Sequence, residues 1–399
     1  MQRFFEIQQE LLQNLSIKKR YLYDEVDFNE RLIWVIWPRW VWKTTLLLQY
    51  LSTKELSEEY LYISADNIYF LENNLFEFAS RFYREYDWKL LIIDEIHKYK
   101  NWNQELKNIY DSFPKLKILF SWSSSLDLKI WNYDLSRRAN LYYLEWFSFR
   151  EYINFNYDYN LEKIDFEDIL KNHFKISREI SNNLSIIKYF KEYLKFWYYP
   201  YFLKKDNREY KKVIETIEKT IFEDISNFYN LKSQNLVAFK KILNYLAINP
   251  PGTININKIS KTLELDNKII SNYLEILEKS WLIRFLLKDS YWYNIMKNTS
   301  KLYLDNTVMY YSINLFLNKD VNIWTIRENF VLNQVWNSVW NISFSKIWDF
   351  KIWDNIFEIW WKNKTFKQIK DLENWYLILD DIIIWEKNKI PIWLFGFLY

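Results

Sequence analysis

Two glycines, no cysteine and two histidines stand in a chain of 399 residues. Without cysteine there is no disulfide scaffold, no thiol nucleophile and no thiolate metal site. His97 and His173 alone argue against a histidine-built metal centre. No uncharged run reaches the roughly 18 residues a membrane helix needs. The opening stretch MQRFFEIQQELLQ is amphipathic and mixed in charge, unlike a secretory signal. The expectation is a cytoplasmic protein with no membrane partner. Charge of one sign is lacking too: 54 basic and 51 acidic residues leave a net +3, which makes no electrostatic case for nucleic acid. With 26% charged and 50% hydrophobic residues the chain is neither disordered nor fibrous. Its length predicts about two or three domains, each able to bury a core.

The glycine deficit has a counterpart. Ordinary usage of about 7% predicts roughly 28 glycines, whereas the chain has two, beside 22 tryptophans. The two counts together come near an ordinary glycine allotment. This suggests that most tryptophans occupy positions where the fold expects glycine.

Residues 2–18 read as a helix with Phe4, Phe5, Ile7, Leu11, Leu12 and Leu15 on one apolar face. Arg31–Ile36 is an apolar run of strand type, followed by the punctuated WPRWVWK and a helix from Thr44 to Leu51. Leu61–Ser64 is a second strand, residues 71–86 a helix, and Leu90–Ile93 an apolar strand ending in two carboxylates. A helix over 103–111 and a strand over Leu116–Phe120 complete an alternating pattern. Such alternation predicts an α/β fold with a parallel sheet covered by helices on both faces. Residues 150–248 read as mostly helical. Residues 238–290 read as three helices and a strand, in the manner of a winged helix. Residues 300–399 return to short strands around a helix over 325–340. The expected division is an α/β core over 1–150, a helical region over 151–235, a winged helix over 236–298 and an α/β domain over 299–399.

The phosphate-binding loop has the form G-x-x-x-x-G-K-[ST] between a strand and a helix. In that setting stand Trp37, Pro38, Arg39, Trp40, Val41, Trp42, Lys43, Thr44 and Thr45. Glycine at 37, 40 and 42 would complete the match. The loop must turn so that successive backbone N–H groups converge on phosphate oxygens, which needs positive φ and a cradle free of side chains. Read literally, with tryptophan, the loop is blocked. The surrounding groups fit the chemistry. Lys43 is placed for the β- and γ-phosphates and Thr44 for Mg²⁺. Asp94 would hold the magnesium shell, and Glu95 would act as general base on the attacking water. Ser123, after the strand Leu116–Phe120, is placed to sense the γ-phosphate. ATP and Mg²⁺ are thus the expected cofactors. A turn-forming role competes with a magnesium-shell role at Asp66, and His97 reads as structural.

These segments resemble a family. RLIWVIWPRWVWKTTLLLQYL, LYISADNIYF, LLIIDEIHKYKNWNQELKNIYDSFP, ILFSWSSSLDL and WFSFREY look like the prokaryotic AAA-type ATPases that carry a C-terminal domain of unknown function 4143. The likeness continues through FWYYPYFL, KLYLDNTVMYYSI, WTIRENFVLNQV and FEIWWKNKT. The family usually has glycine where this chain has Trp34, Trp37, Trp40, Trp42, Trp122, Trp146 and Trp197. Glycine also suits Trp281, Trp324, Trp348, Trp360 and Trp361, while Trp102 and Trp393 look like true tryptophans. The resemblance implies that most tryptophans are UGA codons that the source organism reads as glycine. It also implies an arginine finger, for which Arg138, beside Arg137, is best placed, from the same or a neighbouring subunit. An oligomer is therefore compatible with the pattern.

In the C-terminal half, Lys268, Lys279, Asn267 and Asn272 are the candidates for DNA contact on the helix from Asp266 to Lys279. Asp349 and Glu358, with Lys362 and Glu328, resemble a nuclease-like site in which metal and lysine activate water. Strict Glu-x-Lys spacing would put lysine at 360, where Trp360 stands. The expected function is Mg²⁺-dependent ATP hydrolysis that moves C-terminal domains docked to a DNA or protein partner. The alternative is a non-hydrolysing DNA-binding or docking protein with a degenerate loop.

Overall fold

A computed structural model describes residues 2–399 except 37, 40, 56, 123–134, 136, 183, 201–206, 254, 289–299, 345–347 and 361–373; of residues 233, 234 and 253 it describes the backbone alone. The chain forms two compact units, Met1–Trp146 and Phe147–Tyr399.

The first unit is built on five strands: β1 (Leu32–Ile36), β2 (Tyr60–Ser64), β3 (Leu90–Asp94), β4 (Lys117–Trp122) and β5 (Asn140–Tyr143). All are parallel, in the order β2-β3-β4-β1-β5. β1 and β3 are buried along their whole length, as expected of strands covered on both faces. The helices are α1 (Gln2–Gln13), α2 (Leu22–Glu25), α3 (Lys43–Leu51), α4 (Leu75–Tyr86) and α5 (Trp102–Ser112). Asn74 caps α4 by accepting from the Glu77 N–H, the role short polar side chains play at helix starts. The outer edge of β2 is closed from α1: the Gln8 amide accepts from the Tyr62 N–H at 2.8 Å and donates to the Tyr60 carbonyl at 3.3 Å. A buried amide thus satisfies an edge that would otherwise remain open to pairing. This sheet bears out the α/β expectation. β5 was not expected, because NLYY is too short to show alternation.

In the second unit, helices Ser233–Ile248, Ile256–Leu263 and Asn267–Lys279 precede an antiparallel pair, β6 (Ile283–Leu287) and β7 (Ser300–Leu304). A mixed sheet follows, ordered β12-β11-β10-β9-β8, with β8 (Ile342–Ser343), β9 (Phe350–Ile352), β10 (Asn355–Trp360), β11 (Trp375–Leu379) and β12 (Lys389–Pro391). β8, β9 and β10 pair antiparallel, and β10, β11 and β12 parallel. Two helices, Thr307–Phe316 and Ile323–Val339, carry an unusually polar interior. Asn329 and Asn333 donate to the carbonyls of Leu304 and Asp305. Buried Arg284 pairs with Asp305 at 2.9 Å and buried Arg327 with Asp380 at 2.6 Å. Each charge is buried together with its partner, the arrangement that makes burial tolerable.

The backbone sorts the tryptophans. Among the described residues, 14 non-glycine residues have positive φ, and four of them are tryptophans: Trp42, Trp281, Trp340 and Trp353. Neither glycine has positive φ. Trp340 ends the helix Ile323–Val339 at φ 62°, ψ −8°, where glycine most often terminates helices. Trp353 is the first residue of the two-residue loop joining β9 to β10, at φ 52°, another place that glycine favours. By contrast, Trp34, Trp122, Trp146 and Trp197 are buried without positive φ. The Trp34 ring lies 5.2 Å from Phe120 and 6.0 Å from Trp102, within ordinary aromatic packing.

Candidate functional site

A parallel strand ends where a helix begins, and two such ends meet at β1 and β3. Beyond β1 the chain reaches Trp42, at φ 65° and ψ 41°, directly before α3. A left-handed residue followed by helix turns successive N–H groups toward one point, and the helix adds its positive end. Lys43 and Thr44 occupy the first turn of α3 and Asp94 the last position of β3.

Asp94 is the hub. Its Oδ2 accepts from Thr44 Oγ1 at 2.6 Å and from the Tyr62 hydroxyl at 3.0 Å. Its Oδ1 accepts from Ser121 Oγ and from the Glu95 N–H. Ser121 Oγ in turn accepts from the Glu95 N–H at 2.9 Å. Glu95 has φ 53° and ψ 39°, a conformation that L-residues rarely adopt and that recurs at functional sites. Its carboxylate forms an ion pair with Lys43 Nζ and lies 3.4 Å from His97 Nδ1. Burial, then the charges of Lys98, Lys43 and Arg39, holds the His97 imidazole well below its usual range. His97 is therefore neutral near pH 7, its ring stacked on Trp122 at 5.6 Å.

Lys43, Thr44, Asp94 and Glu95 are thus brought together, as expected. Pro38, Val41 and Thr45 belong to the same loop and first helical turn, Pro38 and Val41 buried. Trp37, Trp40 and Ser123 lie outside the described residues. A β4 hydroxyl, that of Ser121, donates to Asp94 and accepts from the Glu95 N–H. Arg138 is not brought to this cluster. It pairs with Asp111 at 3.2 Å, at the C-terminal end of α5. It also precedes the first residue of β5, whose start aligns with that of β1, so it lies at the opposite end of the sheet from Lys43. Asp66 sits in the turn after β2, accepting from Ser64. Sequence reasoning missed two residues here. Buried Arg20 donates to the carbonyl of Val41 at 2.6 Å and of Glu145 at 2.8 Å, tethering the loop to the segment after β5. Tyr62 reaches Asp94 from a strand that reads as plain core.

The donor set suits a small hard cation. A threonine hydroxyl and a carboxylate oxygen already stand at hydrogen-bond distance, and Mg²⁺ takes oxygen ligands of this kind. The backbone at Trp42 suits a phosphate, whereas its tryptophan side chain does not.

In the second unit, Lys301 Nζ lies 3.6 Å from both Glu328 and Asp349. Tyr303 donates to Glu328, and Asp349 N–H donates to Glu358 at 3.2 Å. Burial, then Asp349, pushes Glu358 up to about 7. Lys362 lies outside the described residues. Among the described residues no group of three acidic, histidine or cysteine side chains is arranged to hold a metal. An ammonium, that of Lys301, stands between two of the carboxylates.

Residues 29–153 match the AAA domain family. The AAA match supports nucleotide binding and an ATPase-type role for this P-loop core. Residues 187–319 match domain of unknown function 8612, a different designation from the one the resemblance implied. An uncharacterized protein of Methanocaldococcus jannaschii, MJ1637, is 30% identical over 291 residues, covering 67% of this chain and 60% of its own length. A second from the same organism, MJ1544, is 26% identical over 324 residues, covering 77% and 69%. The chain thus spans about three fifths of the first relative. Among solved structures, AMPPCP-bound DnaA from Aquifex aeolicus is 18% identical, covering 68% of this chain and 86% of its own, with a TM-score of 0.26. The delta protein of the Bacillus subtilis DNA clamp loader is 12% identical, covering 64% and 86%, also with a TM-score of 0.26. Similarity of that degree supports nothing further. Among the described residues no helix is long and apolar enough to cross a membrane.

Proposed function

We propose that the chain binds and hydrolyses ATP with Mg²⁺, and that glycine replaces tryptophan at 37, 40 and 42 in the protein its source organism makes. The convergence of Lys43, Thr44, Asp94 and Glu95 at the ends of β1 and β3 carries this reading. Lys43 would leave Glu95 to neutralise phosphate oxygens, and Thr44 and Asp94 would hold the cation. Released from Lys43, the Glu95 carboxylate would take a proton from the attacking water. Mg²⁺ supplies Lewis-acid stabilisation of charge on the transferring phosphoryl group. Arg138, at the far end of the sheet, could serve as an arginine finger only toward a neighbouring subunit. We further propose that residues 236–298, with the three helices and β6, form a winged helix, and that residues 299–399 form a docking domain for DNA or protein. Support for glycine at 42 comes from its left-handed backbone.

The test compares the literal chain with W37G/W40G/W42G. The triple variant should bind ATP and turn it over, while the literal chain should do neither. In that background Glu95→Gln should retain ATP binding and lose turnover. Unchanged turnover would remove Glu95 as the base, and absence of ATP binding by the triple variant would sink the reading.

A further inference from the structure

We propose that Tyr62 is a positioning residue that aims Asp94 at the magnesium site, an inference that rests on the nucleotide reading above. Tyr62 pairs in register with Ile92 on the neighbouring strand. Alternate residues of a strand share a face, so the Tyr62 ring lies on the face that carries Ile92 and Asp94. Asp94 lies two residues beyond Ile92, about 6.6 Å along the strand, which a phenol ring can span. The hydroxyl arrives at Asp94 Oδ2 at 3.0 Å.

Each Asp94 oxygen has two donors, but the two pairs are not equivalent. Oδ1 is held by Ser121, within β4, and by the Glu95 N–H, the backbone group directly after β3. Oδ2 is held by Thr44 and Tyr62. Thr44 must turn its oxygen to the cation when magnesium enters, which leaves Tyr62 as the remaining donor on Oδ2. Tyr62 is buried, and its hydroxyl donates to the carboxylate oxygen, which only accepts. Without that bond, Oδ2 would be free to swing from the direction in which the cation or its water shell approaches.

The test titrates Mg²⁺ against a fixed concentration of ADP bound to full-length W37G/W40G/W42G, with and without Tyr62→Phe. Phenylalanine keeps the ring and removes one hydrogen bond to a charged group. The Mg²⁺ concentration that half-saturates binding should rise about tenfold, the usual weight of such a bond. ADP affinity without Mg²⁺ should stay within about twofold. A merely structural tyrosine would lower the melting temperature and leave the Mg²⁺ titration in place. A parent that binds Mg·ADP beside an overlapping Y62F titration overturns the role of Tyr62 alone. A parent with no magnesium-dependent binding overturns the nucleotide reading and this proposal with it.

Discussion

Replacing Trp340 by glycine and by alanine separates backbone from side chain at the end of the helix Ile323–Val339. Both changes remove the same indole, so their difference cancels the lost packing. What remains is the left-handed conformation at φ 62°, which costs an L-residue about 1–2 kcal/mol. Glycine escapes that strain but loses more freedom on folding, an offset of about 0.5–1 kcal/mol. Glycine should therefore be the more stable of the two by about 0.5–1 kcal/mol. The control is Trp336, inside the same helix, where alanine should exceed glycine by about 0.8–1 kcal/mol. The two comparisons thus carry opposite signs. Thermal unfolding should resolve them as shifts of about 2–4 °C for each kcal/mol in a unit of this size, and urea midpoints at constant m provide a second measure. Alanine equal or superior to glycine at 340 would refute the inference that this position is built for glycine. The same pair of substitutions at Trp353 should repeat the sign seen at 340.

The two glycines should behave oppositely toward alanine. A Cβ on Gly396 would lie 2.5 Å from Phe149 Cβ, whereas one on Gly252 would meet nothing within 4 Å. Gly396→Ala should lose about 1–3 kcal/mol in urea unfolding through overpacking, and Gly252→Ala should change little; equal losses would contradict the packing. Glu278, pushed up to about 7 from 4.5 by burial, predicts a pH effect. The folded state binds its proton more tightly, so stability is greatest below about 4.5 and falls as pH rises to about 7, by on the order of 3 kcal/mol. Glu278→Gln should flatten that window in a stability-against-pH series, and an unchanged slope would assign it to other groups.

Much of the candidate site was legible in the chain because its chemistry is local. Lys43 and Thr44 follow the loop directly, and Asp94 with Glu95 ends an apolar run, so strand, turn and helix order suffices to find them. Tyr62 carried no such signal. Its value comes from strand register, which sets its hydroxyl beside a carboxylate 32 residues away. Arg138 shows the reverse. Proximity in sequence to β4 made it a candidate, but the chain returns to the start of β5 before forming that strand and leaves the arginine at the opposite end of the sheet. Ser121 reaches Asp94 because β4 runs on to Trp122 and turns this serine toward β3, while Ser123 lies outside the described residues.

The sequence by itself determined the α/β class, the place of the phosphate loop and the conflict between tryptophan and a turn that calls for glycine. Those follow from local rules of period, spacing and sterics. Only the tertiary structure decided which tryptophans bear that conflict in the backbone. Trp42, Trp281, Trp340 and Trp353 have positive φ, whereas Trp34 and Trp122 fill a core beside Phe120 and Trp102. The distinction depends on backbone dihedrals and long-range packing, and neither is written in residue type.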